Sequence, residues 1–257
     1  MTMTDRRRFE GRSIIVTGAG SGIGEGTAHA FAAEGGLVTV AELDPAKGEA
    51  VRDAILAAGG TAQFVVTDAT DEASVKAMVE AACAAHGPVR HAFNNVGAAR
   101  LGDLETSSLE DWNWTVNISL TTTFLSMKYE IPVMKANGGG TIVNTASMAG
   151  RIYSSSAPPA YVAAKAGVIH LSQHASCVYA KDNIRVNSVL PGLTATPQIA
   201  SMFTLEQQAT IAAEHQMIHR AVQPSEIAAG VLFLSSDDAQ MITGRGLEVA
   251  GGGIHPG

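Results

Sequence analysis

The stretch SIIVTGAGSGIGEGTAHAFAAEG, residues 13–35, opens as an apolar β-rich run and turns through glycines at 18, 20, 22 and 24. It continues as an alanine-rich helix that Gly35 and Gly36 end. Strand, tight turn and helix make the first half of a βαβ unit. Glycines let backbone amides approach an anion closely, and the N-terminus of the helix that follows adds partial positive charge. Gly18, Ser21, Gly22, Ile23 and Gly24 are therefore candidate contacts for a pyrophosphate. The next apolar run, LVTVAEL (37–43), carries Glu42 at its end with Asp44 just beyond, and a carboxylate there accepts both hydroxyls of an adenosine ribose.

The alternation continues along the chain. Helical stretches at 45–58, 71–86, within 107–137, through 160–180 and from 224 separate the apolar runs AQFVVTD (62–68), RHAFNNVG (90–97), GTIVNTAS (140–147), IRVNSVLPG (184–192) and GLEVAGG (246–252). Seven strands alternating with helices predict an α/β protein: a doubly wound seven-stranded parallel sheet with helices on both faces. No repeat, linker or low-complexity tract divides it, so residues 1–257 are expected to form one domain. Residues 194–222 break the pattern, carrying Ile199, Met202, Phe203, Met217 and Ile218 without strand alternation. After the carboxyl end of a strand such an insertion reads as a substrate lid; a pair of packing helices is the alternative.

Bulk composition agrees with a sheet covered on both sides, since 46% of the 257 residues are hydrophobic and only 16% charged. The net charge of −7 argues against nucleic acid or an anionic membrane surface as main partner. Arg6 to Arg8, flanked by Asp5 and Glu10, read as a solvated arm. With no long uncharged apolar run and no leader-like N-terminus, a soluble cytoplasmic protein is expected. Cys83 and Cys177 match no metal or redox spacing and read as small core residues. His170/His174 and His215/His219 stand at helical spacing but lack the glutamate of HExxH and any evident third ligand, so no metal is expected.

In AYVAAKAGVIHLSQ (160–173), Tyr161 and Lys165 stand about one helical turn apart and share a face. Alone, such a pair is most simply an exposed couple at the edge of an amphipathic helix. With the glycine turn and Glu42 beside it, the chain resembles the short-chain dehydrogenase/reductase family over essentially its whole length. The family pattern Thr-Gly-x-x-x-Gly-x-Gly falls on Thr17, Gly18, Gly22 and Gly24. Its Asn-Asn-Ala-Gly falls on Asn94 to Gly97, with Val96 replacing alanine, and its Pro-Gly after the sixth strand on Pro191 and Gly192. The resemblance implies a Rossmann-like fold and a nicotinamide dinucleotide. Its contacts would include Asp68 at the adenine, Ala69, Asn95, Pro191, Gly192, Thr194, Tyr161 and Lys165, with Thr196 at the nicotinamide amide. It also implies four catalytic residues: Asn117 in TVNISL, Ser147 in NTASMAG, Tyr161 and Lys165.

A free phenol titrates near pH ~10. An ammonium ~4 Å away is worth roughly 4 kcal/mol at an effective dielectric of 20, which predicts that Lys165 lowers the Tyr161 pKa. Tyr161 would then exchange the alcohol proton while hydride moves to or from the nicotinamide. Ser147 would hydrogen-bond the substrate oxygen, and Asn117 would hold a water linking Lys165 to solvent. Met148, Ile152, Tyr153, Leu193, Met202, Phe203 and Met217 would make an apolar substrate pocket beside Ser147 and Tyr161.

The expected function is an NAD-dependent oxidoreductase interconverting a secondary alcohol and its ketone. Glu42, the absence of arginine at 19–25 or 41–47, and the acidic charge weigh against the alternative, an NADPH-dependent 3-oxoacyl thioester reductase. The intact catalytic set weighs against a silent dinucleotide sensor. The resemblance implies a homotetramer, with the helices within 107–137 and 160–180 supplying buried contacts. Two departures stand out: SSSAPP (154–159) lengthens a loop beside the substrate, and Ala250-Gly251-Gly252 replaces the usual Asp-Gly-Gly, which bears on the local turn and a subunit contact.

Overall fold

A computed structural model of the chain describes residues 7–152 and 157–252, and the strand-turn-helix reading of residues 13–35 holds in it. β1 (Ser13–Thr17), buried throughout, feeds the glycine turn and α1 (Gly22–Ala33). There follow β2 (Leu37–Glu42), α2 (Pro45–Ala57), β3 (Thr61–Val66), α3 (Glu72–His86), β4 (Val89–Asn94), α4 (Leu109–Val116) and α5 (Thr122–Ala136). The chain ends with β5 (Gly140–Thr145), α6 (Pro159–Tyr179), β6 (Ile184–Pro191), α7 (Pro197–Met202), α8 (Leu205–His215), α9 (Pro224–Ser235) and β7 (Gly246–Val249). Local chemistry sets several helix starts: the carboxylates of Asp44 and Asp71 and the Ser108 hydroxyl accept first-turn amides of α2, α3 and α4.

All strand pairs are parallel, in the order β3-β2-β1-β4-β5-β6-β7. The winding reverses between β1 and β4, and a crevice opens at the carboxyl ends of such strands. Apolar layers cover both faces. Phe9, Phe31, Val38, Val40, Ile227 and Val231 pack on the side of α1 and α9, while Ile15, Met78, Val79, Leu125, Met134 and Ile142 pack on the side of α3 and α5. Among the described residues no helix is long and apolar enough to cross a membrane, and no group of three or more His, Cys, Asp or Glu is placed to hold a metal ion.

Several expectations change. The arm is not solvated at its inner end: the Arg8 guanidinium pairs with Glu34, and Phe9 is fully buried edge-to-face against Phe31. Arg6 lies outside the described residues. Cys177 is exposed on α6 rather than in the core, and Cys83 is half-buried. The helix within 107–137 is interrupted by a π-helical turn at Asn117–Thr121.

Residues 194–222 fold as the helix pair α7 and α8, tied together at its base. Thr194 bridges Val222 in parallel, the Ala195 amide donates to the Val222 carbonyl, and the Val222 amide donates to that of Leu193, both at 2.8 Å. Buried Gln216 adds a pin, accepting from the Leu193 amide at 2.9 Å and donating to the Arg220 carbonyl at 2.7 Å. The turn at Ala250 forms without its aspartate. Gly251 (φ 66°) and Gly252 (φ 75°) present carbonyls to the amides of Ile218 and Met217, each at 2.8 Å.

A buried polar chain crosses the α5 side of the sheet. Asn94 Nδ2 donates to Glu130 Oε2 and to Asn144 Oδ1, each at 3.0 Å, and Asn144 Nδ2 donates to Ser172 Oγ at 2.9 Å. Glu130 has no solvent exposure. Its Oε1 and the Asn94 Oδ1 have no partner among the described residues.

Candidate active site

The glycine turn is shaped as a cradle. Gly18 and Gly22 have φ of 60° and 58°, a left-handed region that side chains disfavour. A Cβ on Gly24 would lie 2.1 Å from the Gly18 carbonyl oxygen, so only glycine lets the turn close on itself. Ser21 stands extended at the N-cap of α1 with no side-chain hydrogen bond to the first-turn amides, which leaves those donors for an anion. Half-buried Ile23 packs against the core behind them.

Asn95 braces this turn from β4. Its amide donates to Thr17 Oγ1 at 3.0 Å, its Nδ2 to the Gly18 carbonyl at 3.2 Å, and it accepts from Thr145 Oγ1 at 3.3 Å. At the end of β2, Glu42 accepts from the Gly20 amide at 2.9 Å on Oε2. Its Oε1 accepts from the amides of Leu43 and Asp44 at 2.9 and 3.1 Å. Lys47 reaches Asp44, 3.5 Å away.

Asp68 turns one carboxylate oxygen onto the Thr70 amide and hydroxyl, at 2.9 and 2.6 Å, and Ala69 beside it is buried. Pro191 ends β6; beyond it the Gly192 amide donates to the Val249 carbonyl and Thr194 Oγ1 to the Gly192 carbonyl. Thr196 caps α7, and its methyl would sit 3.1 Å from a Cβ on Gly22, which places the start of the helix pair directly over the cradle. Cradle, uncapped helix and strand-end carboxylate together fit a nicotinamide dinucleotide, with the pyrophosphate at the turn and a ribose at Glu42.

Ser147 leaves the end of β5 extended (φ −168°) and caps the turn at 148–150. Tyr161 stands in the first turn of α6, behind Pro158 and Pro159, and shares a hydrogen bond with the Ser147 hydroxyl. Lys165 is buried, its ammonium 5.7 Å from the Tyr161 ring centre and donating to the Thr145 carbonyl at 2.7 Å. A Cβ on Gly97 would lie 2.8 Å from that ammonium, so the Asn-Asn-Val-Gly stretch leaves room for it.

The phenol shift runs opposite to the sequence expectation. Burial raises the Tyr161 pKa, with the Ser147 hydrogen bond pulling in the other direction, and burial brings Lys165 down to about 8. Lys165 spends a short hydrogen bond on Thr145, and withdrawal from water penalises the phenolate. Asn117, exposed, opens the π-turn, its carbonyl accepting from the Thr122 amide.

The proposed substrate residues are less uniform. Met148 is buried in a cluster with Val168, Leu190 and Ala250, against which Ile152 packs. Leu193 is half-buried at the base of the helix pair, Phe203 lies in a groove with Ile211, and Met202 and Met217 are exposed. Tyr153 lies outside the described residues. The structure adds Gln216, which no sequence signal marked: it ties Leu193 to the end of α8.

A family model of the short-chain dehydrogenase/reductases, described as Enoyl-(Acyl carrier protein) reductase, matches residues 18–254. The chain is 40% identical over 245 residues to the cyclohexanol dehydrogenase of Acinetobacter sp. (strain SE19), covering 95% of each. It is 39% identical over 249 residues to a 2,5-dichloro-2,5-cyclohexadiene-1,4-diol dehydrogenase of Sphingobium indicum, covering 95% of this chain and 97% of that one. Among solved structures, a 7α-hydroxysteroid dehydrogenase complexed with NADH and 7-oxo glycochenodeoxycholic acid superimposes with a TM-score of 0.92 at 31% identity. That match covers 99% of this chain and 98% of the other.

Proposed function

Because this chain belongs to the short-chain dehydrogenase/reductase family and is an oxidoreductase, we propose that it interconverts a secondary alcohol and its ketone, with NAD as coenzyme and an apolar ring as substrate. The observation that carries this reading is the meeting of Ser147, Tyr161 and buried Lys165 beside a dinucleotide cradle. Relatives named for cyclohexanol, a cyclohexadiene diol and a hydroxysteroid support the ring.

When bound, the nicotinamide takes or supplies the hydride. The Ser147 hydroxyl hydrogen-bonds the substrate oxygen and holds it at the phenol. Tyr161 removes the hydroxyl proton in oxidation and returns it in reduction. Lys165, with its pKa near 8, is mostly charged at neutral pH and stabilises the negative phenol oxygen. Asn117, at a π-turn open to solvent, is suited to anchoring water between Lys165 and bulk. The α7–α8 pair, tied at both ends, acts as the lid over the cradle.

Glu42 sets the coenzyme. Repulsion between its carboxylate and one charge of a 2′-phosphate at ~4 Å costs roughly 4 kcal/mol at an effective dielectric of 20, reduced by screening to roughly 2–3 kcal/mol. The expected result is at least ~30-fold higher kcat/KM with NAD than with NADP. Steady-state rates over a panel of secondary alcohols graded in size and polarity, run with both coenzymes, test the whole reading. Cyclic apolar alcohols should lead the panel, Glu42→Ala should narrow the coenzyme preference, and equal kcat/KM for NAD and NADP would refute the assignment. The 3-oxoacyl thioester alternative is opposed by Glu42 and by the net charge of −7, since an acidic carrier needs a basic docking surface.

A homotetramer accounts for the apolar surface left on α4 to α6. Leu109, Trp112, Trp114, Phe124 and Val178 are exposed, and a groove between α5 and α6 is lined by Leu120, Phe124 and Leu171. Light scattering at micromolar concentration should return a mass of four chains, and a monomer mass would sink this expectation.

A further inference from the structure

The family pattern uses Gly18, Gly22 and Gly24 but leaves position 20 open, where this chain has a further glycine. Backbone conformation does not explain it, since Gly20, unlike Gly18 and Gly22, has no positive φ. Its surroundings do. A Cβ on Gly20 would lie 2.7 Å from Glu42 Cγ and 2.8 Å from both Cδ and Oε2, inside the closest approach of real atoms. The Gly20 amide meanwhile donates to Glu42 Oε2 at 2.9 Å. The Glu42 side chain thus lies flat on the bare backbone of residue 20. With Leu43 and Asp44 donating to its other oxygen, the carboxylate is oriented before any ligand arrives, and Oε2, which accepts only from Gly20, keeps a lone pair for a ribose hydroxyl.

We propose that Gly20 is a positioning residue for coenzyme recognition: its missing side chain lets the longer of the two acidic side chains dock on the turn, where it accepts the ribose hydroxyls. This rests on the reading of Glu42 given above. Any larger residue at 20 pushes the carboxylate off that seat. The obstructed atoms, Cγ, Cδ and Oε2, belong to one side chain and not to the backbone, so the displacement costs nucleotide affinity and leaves the fold intact. An aspartate at 42, one methylene shorter, withdraws from the added methyl group and regains a place beside it.

The experiment is calorimetric titration of the intact protein with ADP-ribose, which reports on the adenosine half alone, and with NAD, together with melting curves in the absence of ligand. The variants are Gly20→Ala, Glu42→Asp, Glu42→Ala and the double variant Gly20→Ala/Glu42→Asp. Gly20→Ala should weaken both ligands ~10-fold, the scale of one misplaced hydrogen bond to a charged group, with little change in melting temperature. The double variant should bind more tightly than Gly20→Ala alone, although Glu42→Asp by itself weakens binding. Wild-type affinity in Gly20→Ala, or losses that simply add in the double variant, overturns the proposal. So does a Gly20→Ala protein that melts early and recovers nothing with Glu42→Asp. If Glu42→Ala leaves ADP-ribose affinity unchanged, the parent reading of Glu42 fails instead; if Glu42→Ala weakens it and Gly20→Ala does not, only the role of Gly20 fails.

Discussion

Replacing Tyr161 with phenylalanine should lower kcat by roughly 10²–10⁴-fold while NAD binds as it does to the unmodified protein. The ring keeps its place in the first turn of α6, and only the hydroxyl shared with Ser147 is lost, so the proposed proton carrier disappears while the packing of the ring is kept. Lys165→Ala is the contrasting case. It removes the donor to the Thr145 carbonyl and opens space beside Gly97, so binding and turnover should fall together. Turnover kinetics set against a binding titration separate the two. A Tyr161→Phe enzyme retaining more than about a tenth of wild-type kcat removes Tyr161 from the proton step.

Stability should fall with rising pH because of Glu130. Burial pushes its carboxyl from 4.5 up to about 7, offset in part by the hydrogen bond from Asn94. The sign follows from the folded pKa lying above the unfolded one. Below pH 4.5 the group is protonated in both states and costs nothing; between 4.5 and about 7 the unfolded chain releases its proton first. At about 1.4 kcal/mol per pH unit, the loss levels off near 3 kcal/mol above that window.

Glu130→Gln keeps the shape, stays neutral at every pH and retains a carbonyl oxygen to accept from Asn94 Nδ2. Urea denaturation at pH 5 and pH 8 is the measurement. The variant should gain roughly 2–3 kcal/mol on the wild type between those values, because part of the loss has already occurred at pH 5, whereas parallel behaviour would mean that Glu130 is already ionised in the folded protein.

The architecture was legible because its signals are local. Residues 13–35 combine an apolar run, a glycine turn and an alanine-rich helix within one short segment, and β1 and α1 follow them closely. The same rule found the remaining strands, and the family spacing marked Ser147, Tyr161 and Lys165, which the fold does bring together. Chain connectivity also sufficed for Glu42, since the end of a strand neighbouring β1 must open beside the turn.

What the sequence could not determine depends on atoms distant along the chain. Arg8 meets Glu34, Gln216 reaches back to Leu193, and Gly20 receives the Glu42 side chain only after β1 and β2 pair. Whether Cys177 faces inward or outward was decided by which side of α6 meets the sheet. The Tyr161 pKa is the clearest case: the sequence set phenol and ammonium one turn apart, which by Coulomb attraction alone lowers that pKa. The packed protein raises it, because burial withdraws the phenolate from water and outweighs the hydrogen bond from Ser147. Periodicity and spacing are properties of neighbouring residues and are written in the chain; burial, charge state and the fit of one side chain against another exist only once distant segments have packed.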